Sequence, residues 1–164
     1  MNNKRKLRLL CIFPGPSYRP HMIDFKGRFE MLSDNFEGEV YSFSTDKKYK
    51  ELPMGSFTYK ALVNGKAWPS KRQMAKHIVQ SAKAYHARNS VDLIICYEPL
   101  FTGVLGAHLK KKFKCKLIIE LNNSNLAEAM TMEGGGGLKT KLKIFVSRLL
   151  RAYTLKHADG IKLL

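Results

Sequence analysis

One stretch near the amino terminus, residues 7–32, constrains the fold of this chain more than any other. An apolar run from Leu7 to Phe13, interrupted by Arg8, is typical of a short strand. The segment from Pro14 to Pro20 holds three prolines and a glycine and cannot form regular structure. Apolar residues then recur every three or four positions, as on one face of a helix: Met22, Phe25, Phe29 and Leu32. A short apolar strand that leads through a tight loop into a helix predicts a parallel sheet covered on both faces.

The rest of the chain repeats this alternation of strands and helices. Apolar and β-branched runs predict further strands at 40–43, 57–63, 93–97, 117–121 and 161–164. Helical periodicity predicts helices at about 71–88, 101–113 and 138–157, the first of them opened by a capping box of Ser70 and Gln73. We therefore expect a single α/β domain, Rossmann-like, with a doubly wound and mostly parallel sheet. The expected strand order is 3-2-1-4-5-6, or that order with strand three displaced.

Several local expectations follow from the same patterns. Gly38 is expected in a turn, and residues 46–51 are expected to be charged and exposed. Gly103 and Gly106 should let their helix pack closely on the sheet. The residues expected to face inward are Phe101, Val104, Leu105 and Leu109 in that helix, and Leu142, Phe145, Leu149 and Tyr153 in the last one. The glycine-rich segment 126–137 is expected to be a mobile loop.

Composition limits the partners and the compartment. A formal charge of +16 over 164 residues indicates an anionic neighbour such as lipid headgroups, nucleic acid or a phosphorylated substrate. The three cysteines show no metal-binding spacing, and we expect them to be buried and reduced. No apolar stretch approaches the ~18 residues of a membrane span, and the first apolar run is too short for a signal peptide. These features predict a cytoplasmic protein, or one that is peripheral on the cytosolic face of a membrane.

Polar clusters follow three of the predicted strands, where ligands bind in parallel sheets. The clusters are the loop Gly15–Arg19, the pair Tyr97–Glu98, and Asn122–Ser124. Asn and Glu suit the recognition of sugar hydroxyls, because each hydroxyl both donates and accepts. His21 stands at the edge of the first loop, whereas the other histidines fall on predicted helices. Neither a nucleophile–base arrangement nor a pair of carboxylates at catalytic spacing is recognisable, so the catalytic residues are unknown and no metal site is expected.

Three segments resemble one enzyme family. The Phe-Pro-Gly-Pro-Ser loop within Leu9–Phe25 is similar to the start of the amino-terminal domain of a family 4 glycosyltransferase of bacteria or archaea. "VDLIICYEPLFTGVLGAHLKKKFKCKLIIELNN", Val91–Asn123, is similar to the fourth and fifth strands of that domain. "LLRAYTLKHADGIKLL", Leu149–Leu164, is similar to the helix and strand that close it. Together these segments and the pattern between them cover most of the chain.

The resemblance implies a two-domain architecture of the GT-B type, of which residues 1–164 would be the amino-terminal, acceptor-side domain. The donor-binding domain would be absent from this chain, and this fragment alone would be inactive. The implied donor-phosphate-facing loop is Gly15 and Pro16. The implied acceptor-binding residues are Ser17, Tyr18, Arg19, His21, Tyr97, Glu98, Asn122, Asn123 and Ser124. The family often places a histidine after the fifth strand, where this chain has Asn122 and Asn123, so an imidazole role does not carry over.

The implied function is the acceptor-binding half of a glycosyltransferase that moves a sugar from a nucleotide-sugar donor to a lipid-linked or cell-envelope glycan. The implied partners are that donor, the glycan and an anionic membrane surface, with no cofactor. Two alternatives remain open at this point. One is a basic nucleic-acid-binding module, suggested by the charge but supported by no recognition motif. The other is a Rossmann-like domain that binds another small ligand without transfer chemistry.

Overall fold

A computed structural model describes residues 5–15, 20, 22–63, 69–121 and 137–163, and all structural statements below refer to this part of the chain. The strands are β1 (Leu7–Ile12), β2 (Phe36–Ser44), β3 (Glu51–Met54), β4 (Phe57–Val63), β5 (Leu93–Cys96), β6 (Lys116–Leu121) and β7 (Gly160–Leu163). The helices are α1 (Ile23–Leu32), α2 (Lys71–Asn89), α3 (Phe101–Phe113) and α4 (Leu138–His157), with a 3₁₀ turn at Lys47–Tyr49.

The strands form one sheet in the order β3-β4-β2-β1-β5-β6-β7, and every pair except β3 with β4 is parallel. Numbered as predicted from the sequence, the six parallel strands lie in the order 3-2-1-4-5-6. The predicted topology is therefore confirmed without displacement of strand three. Cys11 and Cys96 lie on the neighbouring central strands β1 and β5, where Ile12 is paired with Cys96.

The antiparallel edge strand β3 was not predicted. Residues 46–51 were expected to be charged and exposed, and they are largely exposed, but the chain then continues into β3. No α-helix separates β2 from β4 in this fully described stretch; the 3₁₀ turn and β3 make the connection instead. Pro53 lies within β3, which is tolerated because an edge strand need not offer every N–H to a neighbour.

Alternating residues of the strands build a core on each face of the sheet. Leu9, Cys11 and Phe13 face α1 and join Phe25 and Phe29. Leu10 and Ile12 face the other side, where α2 and α3 pack together with the carboxyl end of α4. The predicted stripe of α2 is confirmed, since Met74, Ile78, Ala82 and Tyr85 are all buried. Its predicted capping box is present as well, with Gln73 N donating to Ser70 Oγ at 3.2 Å and Ser70 N donating to Gln73 Oε1 at 2.8 Å.

Glycines control three close approaches in the fold. Gly38 lies inside β2 and not in a turn, so that expectation was wrong; a Cβ there would stand 1.8 Å from the Leu9 carbonyl oxygen of β1. The expectation for α3 is confirmed, because a Cβ on Gly106 would stand 2.3 Å from Cys96 Sγ. A Cβ on Gly103 would stand 2.5 Å from Thr154 Cγ2 of α4. Small side chains thus bring α3 onto the sheet and α4 onto α3.

This close packing changes which residues of α3 face inward. Leu109 is buried as expected, but Phe101, Val104 and Leu105 are only half-buried. The buried positions are Thr102, Gly103, Gly106, Ala107, Leu109 and Phe113. The larger apolar residues were expected inside, yet the contact between α3 and the sheet is too close to hold them.

The expectation for the last helix was wrong. Leu142, Phe145, Leu149 and Tyr153 of α4 are between 45 % and 61 % exposed. Only Thr154 is fully buried in this helix, where it meets Gly103 of α3. The helix is attached to the domain near its carboxyl end, and its apolar stripe points away from the sheet.

Three other expectations concern the cysteines, the glycine-rich segment and a membrane span. Cys11, Cys96 and Cys115 are buried and form no disulfide, as predicted. The expected mobile loop at 126–137 lies outside the described residues except for Gly137. Among the described helices, none is both long and apolar enough to cross a membrane.

Candidate functional site

The carboxyl ends of the parallel strands bring four side chains into one row. Ile12 is paired with Cys96, Cys96 with Ile119, and Glu120 with Lys162. The next positions along β1 and β5 are Phe13 and Tyr97, so Phe13, Tyr97, Glu120 and Lys162 occupy neighbouring places across the sheet. Their side chains lie on the face covered by α1, opposite to Leu117 and Ile119. We call these four residues the carboxyl-edge row.

Gly15 begins the predicted binding loop beside this row. It is buried, and its carbonyl oxygen accepts a hydrogen bond from Ser42 Oγ at 3.2 Å. A Cβ at Gly15 would make ordinary contact with the ring of Phe43, at 3.6 Å. The start of the loop is therefore fixed against the end of β2.

Tyr97 follows β5 and packs into the core. Its ring stacks on Phe13 with 3.6 Å between the ring centroids, and its hydroxyl donates to Cys11 Sγ at 3.9 Å. Burial raises the pKa of the Tyr97 hydroxyl and raises the pKa of the Cys11 thiol to about 12. Both groups stay protonated near neutral pH, so Cys11 does not supply a thiolate nucleophile. The predicted contact of Tyr97 with an acceptor stays a prediction.

Glu98, the second residue of this predicted pair, caps α3. Its carboxylate accepts hydrogen bonds from the backbone N–H groups of Leu100, at 2.6 Å, and Thr102. The Thr102 hydroxyl donates to the Glu98 carbonyl oxygen at 3.1 Å. A carboxylate in this position satisfies free N–H groups and interacts favourably with the positive end of the helix dipole. Both carboxylate oxygens of Glu98 are therefore already engaged by the protein.

Arg28 of α1 is a candidate site residue that the sequence reasoning missed. Its guanidinium carbon lies 5.9 Å from the centroid of the Tyr97 ring. Its positive charge also counteracts the burial effect on the pKa of both Cys11 and Tyr97. The signal available in the sequence was its place three residues after Phe25 on the helix that follows the first loop. Arg28 adds a cation beside the carboxyl-edge row.

Glu120 and Lys162 form the charged end of the row and were also missed as site residues. Glu120 is 2 % exposed, and one of its carboxylate oxygens accepts from Lys162 Nζ at 2.9 Å. The Lys162 side chain is about half exposed. A carboxylate inside an apolar strand was the sequence signal, since charged side chains are seldom buried without a partner or a function.

The other predicted site residues lie outside the described part of the chain: Pro16, Ser17, Tyr18, Arg19, His21, Asn122, Asn123 and Ser124. Their chain neighbours are described, however. Gly15 and Leu121 stand at the carboxyl ends of β1 and β6, on the same edge of the sheet as Tyr97 and Glu98. The prediction that the three clusters share one crevice stays a prediction.

The described groups at this edge can bind a polyol or an anion. Arg28 and Lys162 supply cations, and Glu120 supplies a carboxylate acceptor for hydroxyl groups, whereas both carboxylate oxygens of Glu98 already accept from α3. Among the described residues, no group of three or more His, Cys, Asp or Glu side chains is placed to hold a metal ion.

A separate cleft lies at the opposite, amino-terminal edge of the sheet. It encloses about 560 Å³ and is lined mainly by the end of α3 and the starts of β5 and β6, including Asp92, Lys110, Lys114 and Lys116. Asp159 crosses it, accepting from Lys110 Nζ at 2.7 Å and from Leu117 N at 2.8 Å. Its charged groups hold strand ends together, and it is remote from the carboxyl-edge row.

Comparison with known proteins identifies the fold. No protein-family model and no curated protein sequence matches the chain. Among solved structures it is similar to a protein described as a UDP-N-acetylglucosamine 2-epimerase from Listeria monocytogenes, with 14 % identity and a TM-score of 0.54 over 96 % of this chain and 39 % of that one. A second UDP-N-acetylglucosamine 2-epimerase matches with 14 % identity and a TM-score of 0.53, over 96 % of this chain and 41 % of that one. The chain thus spans about two fifths of the length of these structures and has a GT-B-like domain fold, which does not single out family 4.

Proposed function

We propose that this chain is the acceptor-binding half of a glycosyltransferase that uses a nucleotide-sugar donor and a lipid-linked or cell-envelope glycan acceptor. One observation carries the proposal: the carboxyl edge of a parallel sheet gathers Arg28, Glu98, Glu120 and Lys162 beside the Gly15 loop. Ligands of open α/β sheets bind at this edge. A sugar needs hydrogen-bond acceptors there, and a phosphate needs cations.

Different side chains would bind the acceptor sugar and the phosphates of the donor. Glu120 can accept from a sugar hydroxyl, while Lys162 and Arg28 can approach the phosphates of the donor. Transfer also requires charge stabilisation where the nucleotide departs, and closure that excludes water. In this proposal a further domain supplies most of the donor contacts, so the chain alone binds the acceptor weakly and transfers no sugar.

A second candidate is a domain of an enzyme that rearranges a nucleotide sugar without any acceptor. The fold similarity to two UDP-N-acetylglucosamine 2-epimerases favours it. The two candidates differ in what this chain should bind. A transferase acceptor half should bind glycans, whereas a domain of the second kind should bind the nucleotide sugar.

Ligand-detected NMR and calorimetry on the 164-residue chain separate the two candidates. The probes are a panel of nucleotide sugars and a panel of short cell-envelope glycans, and a radiolabelled transfer assay runs in parallel. We expect weak glycan binding, no micromolar nucleotide affinity and no turnover. Micromolar nucleotide affinity without glycan binding would favour the second candidate, and binding of neither class would contradict both.

A matched pair of variants tests the location of the site. Glu120→Gln should abolish the glycan signal, because it removes the carboxylate at the carboxyl edge. Glu39→Gln is the control, since Glu39 is also a buried carboxylate paired with a lysine, with Lys60 Nζ at 2.6 Å. Glu39 lies opposite Leu10 in the middle of the sheet, away from the carboxyl edge. Equal loss of binding in both variants would show that the effect is structural.

A further inference from the structure

The helix α4 carries seven of the thirteen large apolar side chains that are exposed among the described residues, and most of these seven form an apolar stripe. Its members recur every three or four positions along the helix: Leu138, Leu142, Phe145, Leu149 and Tyr153. Leu138 is 84 % exposed, and Val146 and Leu150 widen the stripe with further exposed apolar surface. An apolar stripe of this length on the solvent side of a helix indicates a binding surface.

Basic residues line both sides of this stripe. Successive residues of an α-helix are displaced by about 100° around its axis. Lys139 and Lys143 each follow a stripe residue by one position, so they lie along one flank. Lys141 and Arg148 each precede a stripe residue by one position, so they lie along the other flank. Both pairs are exposed.

The side of α4 that faces the domain carries small residues, whereas the corresponding side of a core helix carries large apolar residues. Thr154 is buried against Gly103, and Ser147 is partly buried, whereas the large apolar residues point outward. The helix carries six Lys and Arg residues and no Asp or Glu. The exposed face of α4 therefore suits a binding partner whose surface has an apolar interior and negative charge along its borders.

We propose that α4 lies in the interface of an anionic membrane, with its stripe immersed among the acyl chains and its flanking lysines and arginine at the level of the phosphates. An in-plane helix of this kind needs an apolar face bordered by cations on both sides, because long basic side chains reach up to the headgroups. The 20 residues of α4 give a length of about 30 Å along the surface.

Charge selects this occupant over a second copy of the chain. Two copies joined by their stripes would bring the cationic flanks of one helix against those of the other, with no acidic residue on either helix to offset them. An anionic lipid surface offers negative charge along both flanks at once. The exposed residues Lys111, Lys112 and Lys114 add positive charge near the carboxyl end of α4, where Lys110 Nζ donates to the His157 carbonyl oxygen at 2.8 Å. This inference stands apart from the proposed sugar chemistry.

Vesicle flotation tests the proposal with the full 164-residue chain. The probes are phosphatidylcholine vesicles with and without phosphatidylglycerol, at low and high salt. Replacing Lys139, Lys141, Lys143 and Arg148 by Gln should weaken binding to the anionic vesicles about fivefold per residue at low salt. The control replaces Lys26 of α1 and Lys47, Lys48 and Lys50 at the 3₁₀ turn, which are equally exposed, and should change binding less than about threefold because these residues lie on the other face of the sheet or at the edge opposite to β7.

The depth of the stripe is tested separately. Phe145→Cys labelled with an environment-sensitive fluorophore should shift to the blue on anionic vesicles, and Met31→Cys on α1, also an exposed position, should not. The three native cysteines are buried and leave the label on the introduced residue. Phe145→Ser should lower binding by roughly tenfold or more, in line with the loss of one buried aromatic side chain.

The vesicle-binding and fluorescence measurements together support or overturn the membrane proposal. Stronger binding to anionic than to neutral vesicles, together with the shift at position 145, supports the proposal. Equal binding to both kinds of vesicle, equal effects of the α4 and the control replacements, or no shift at position 145 would overturn it. A dimer in sedimentation velocity that Phe145→Ser dissociates would also overturn it, because the stripe would then be covered by a second copy.

Discussion

Replacing Gly106 by alanine tests how closely α3 must approach the sheet to hold Glu98 at the carboxyl edge. Gly106 lies in the middle of α3, so alanine alone would favour the helix by about 1 kcal/mol. The added Cβ would stand 2.3 Å from Cys96 Sγ and 2.9 Å from Leu117 Cδ1. Both neighbours are fully buried core residues, so neither can move aside without disturbing the packing.

The overpacking cost outweighs the gain in helix propensity. Inserting a methyl group into a well-packed core costs typically 1–3 kcal/mol, and contacts this short correspond to roughly the upper end of that range. The net expectation for Gly106→Ala is a loss of about 1–2 kcal/mol in the free energy of unfolding. For a domain of this size that corresponds to a fall in Tm of roughly 2–8 °C.

Gly27 provides a matched control because it is also a helical glycine, but a Cβ there would meet nothing within 4 Å. Gly27→Ala should raise the free energy of unfolding by about 0.5–1 kcal/mol. Urea denaturation followed by circular dichroism measures both variants. The double variant Gly106→Ala with Cys96→Ala removes the nearest clashing atom and should recover part of the loss, which a double-mutant cycle quantifies. If Gly106→Ala proves as stabilising as Gly27→Ala, the close approach of α3 to β5 is wrong.

Three further predictions concern charged groups. Glu98→Ala should lower the free energy of unfolding by about 1–2 kcal/mol, because two N–H groups at the start of α3 lose their acceptor, and hydrogen exchange should locate the loss there. Lys162→Met should cost about 1–3 kcal/mol in urea unfolding, because it leaves the buried Glu120 carboxylate without this partner. The hydrogen bond from Lys110 lowers the pKa of Asp159 from 3.8 to about 2. The ionised Asp159 carboxylate therefore contributes its full stabilisation above about pH 4, and this stabilisation is lost as the pH falls through about 2. Asp159→Asn should accordingly lower the free energy of unfolding by about 1 kcal/mol at neutral pH and progressively less in acid. A constant difference between pH 2 and pH 7 would contradict this assignment.

The sequence predicted the strand order because the order rests on periodicity and chirality alone. Six apolar runs separated by helical stripes or turns leave few topologies once crossovers are right-handed. The stripe of α2 was also legible, since each of its buried positions holds an apolar side chain with a clear helical spacing.

The wrong expectations share a physical cause. Large apolar side chains were expected to be buried and glycine was expected to mark a turn, whereas the structure uses its small residues for the closest contacts. Gly38 signals a turn in isolation, but here the absence of a Cβ lets β2 approach Leu9 of β1. In α3 the same effect makes the glycines the inward face and leaves Phe101 half-buried. In α4 the apolar stripe was assigned to the core because that is its usual place, whereas Thr154 makes the contact with the domain. No local pattern shows which side of an amphipathic helix its own domain will use.

The sequence predicted the topology that places the candidate site, whereas the assignment of its residues stays a prediction. The carboxyl ends of β1, β5 and β6 meet where the sequence placed them. The sequence showed Arg28 only as a cation on the helix after the first loop, because its relation to Tyr97 depends on how α1 packs across the sheet. Glu120 was visible as a charge inside an apolar strand, but its partner Lys162 lies 42 residues away along the chain.

The two carboxylates at the carboxyl edge are not equally available to a ligand. Glu98 is held by two backbone N–H groups of α3, and a ligand that displaced it would leave those groups unsatisfied at the start of a helix. Glu120 is held by an ammonium on a flexible side chain that is half exposed. That ammonium can turn toward a ligand phosphate while a ligand hydroxyl takes its place on the carboxylate, with no change in the backbone. Of the two carboxylates, Glu120 is therefore the one that can exchange its partner for a ligand without a change in the backbone. The sequence pattern had pointed to Glu98 instead.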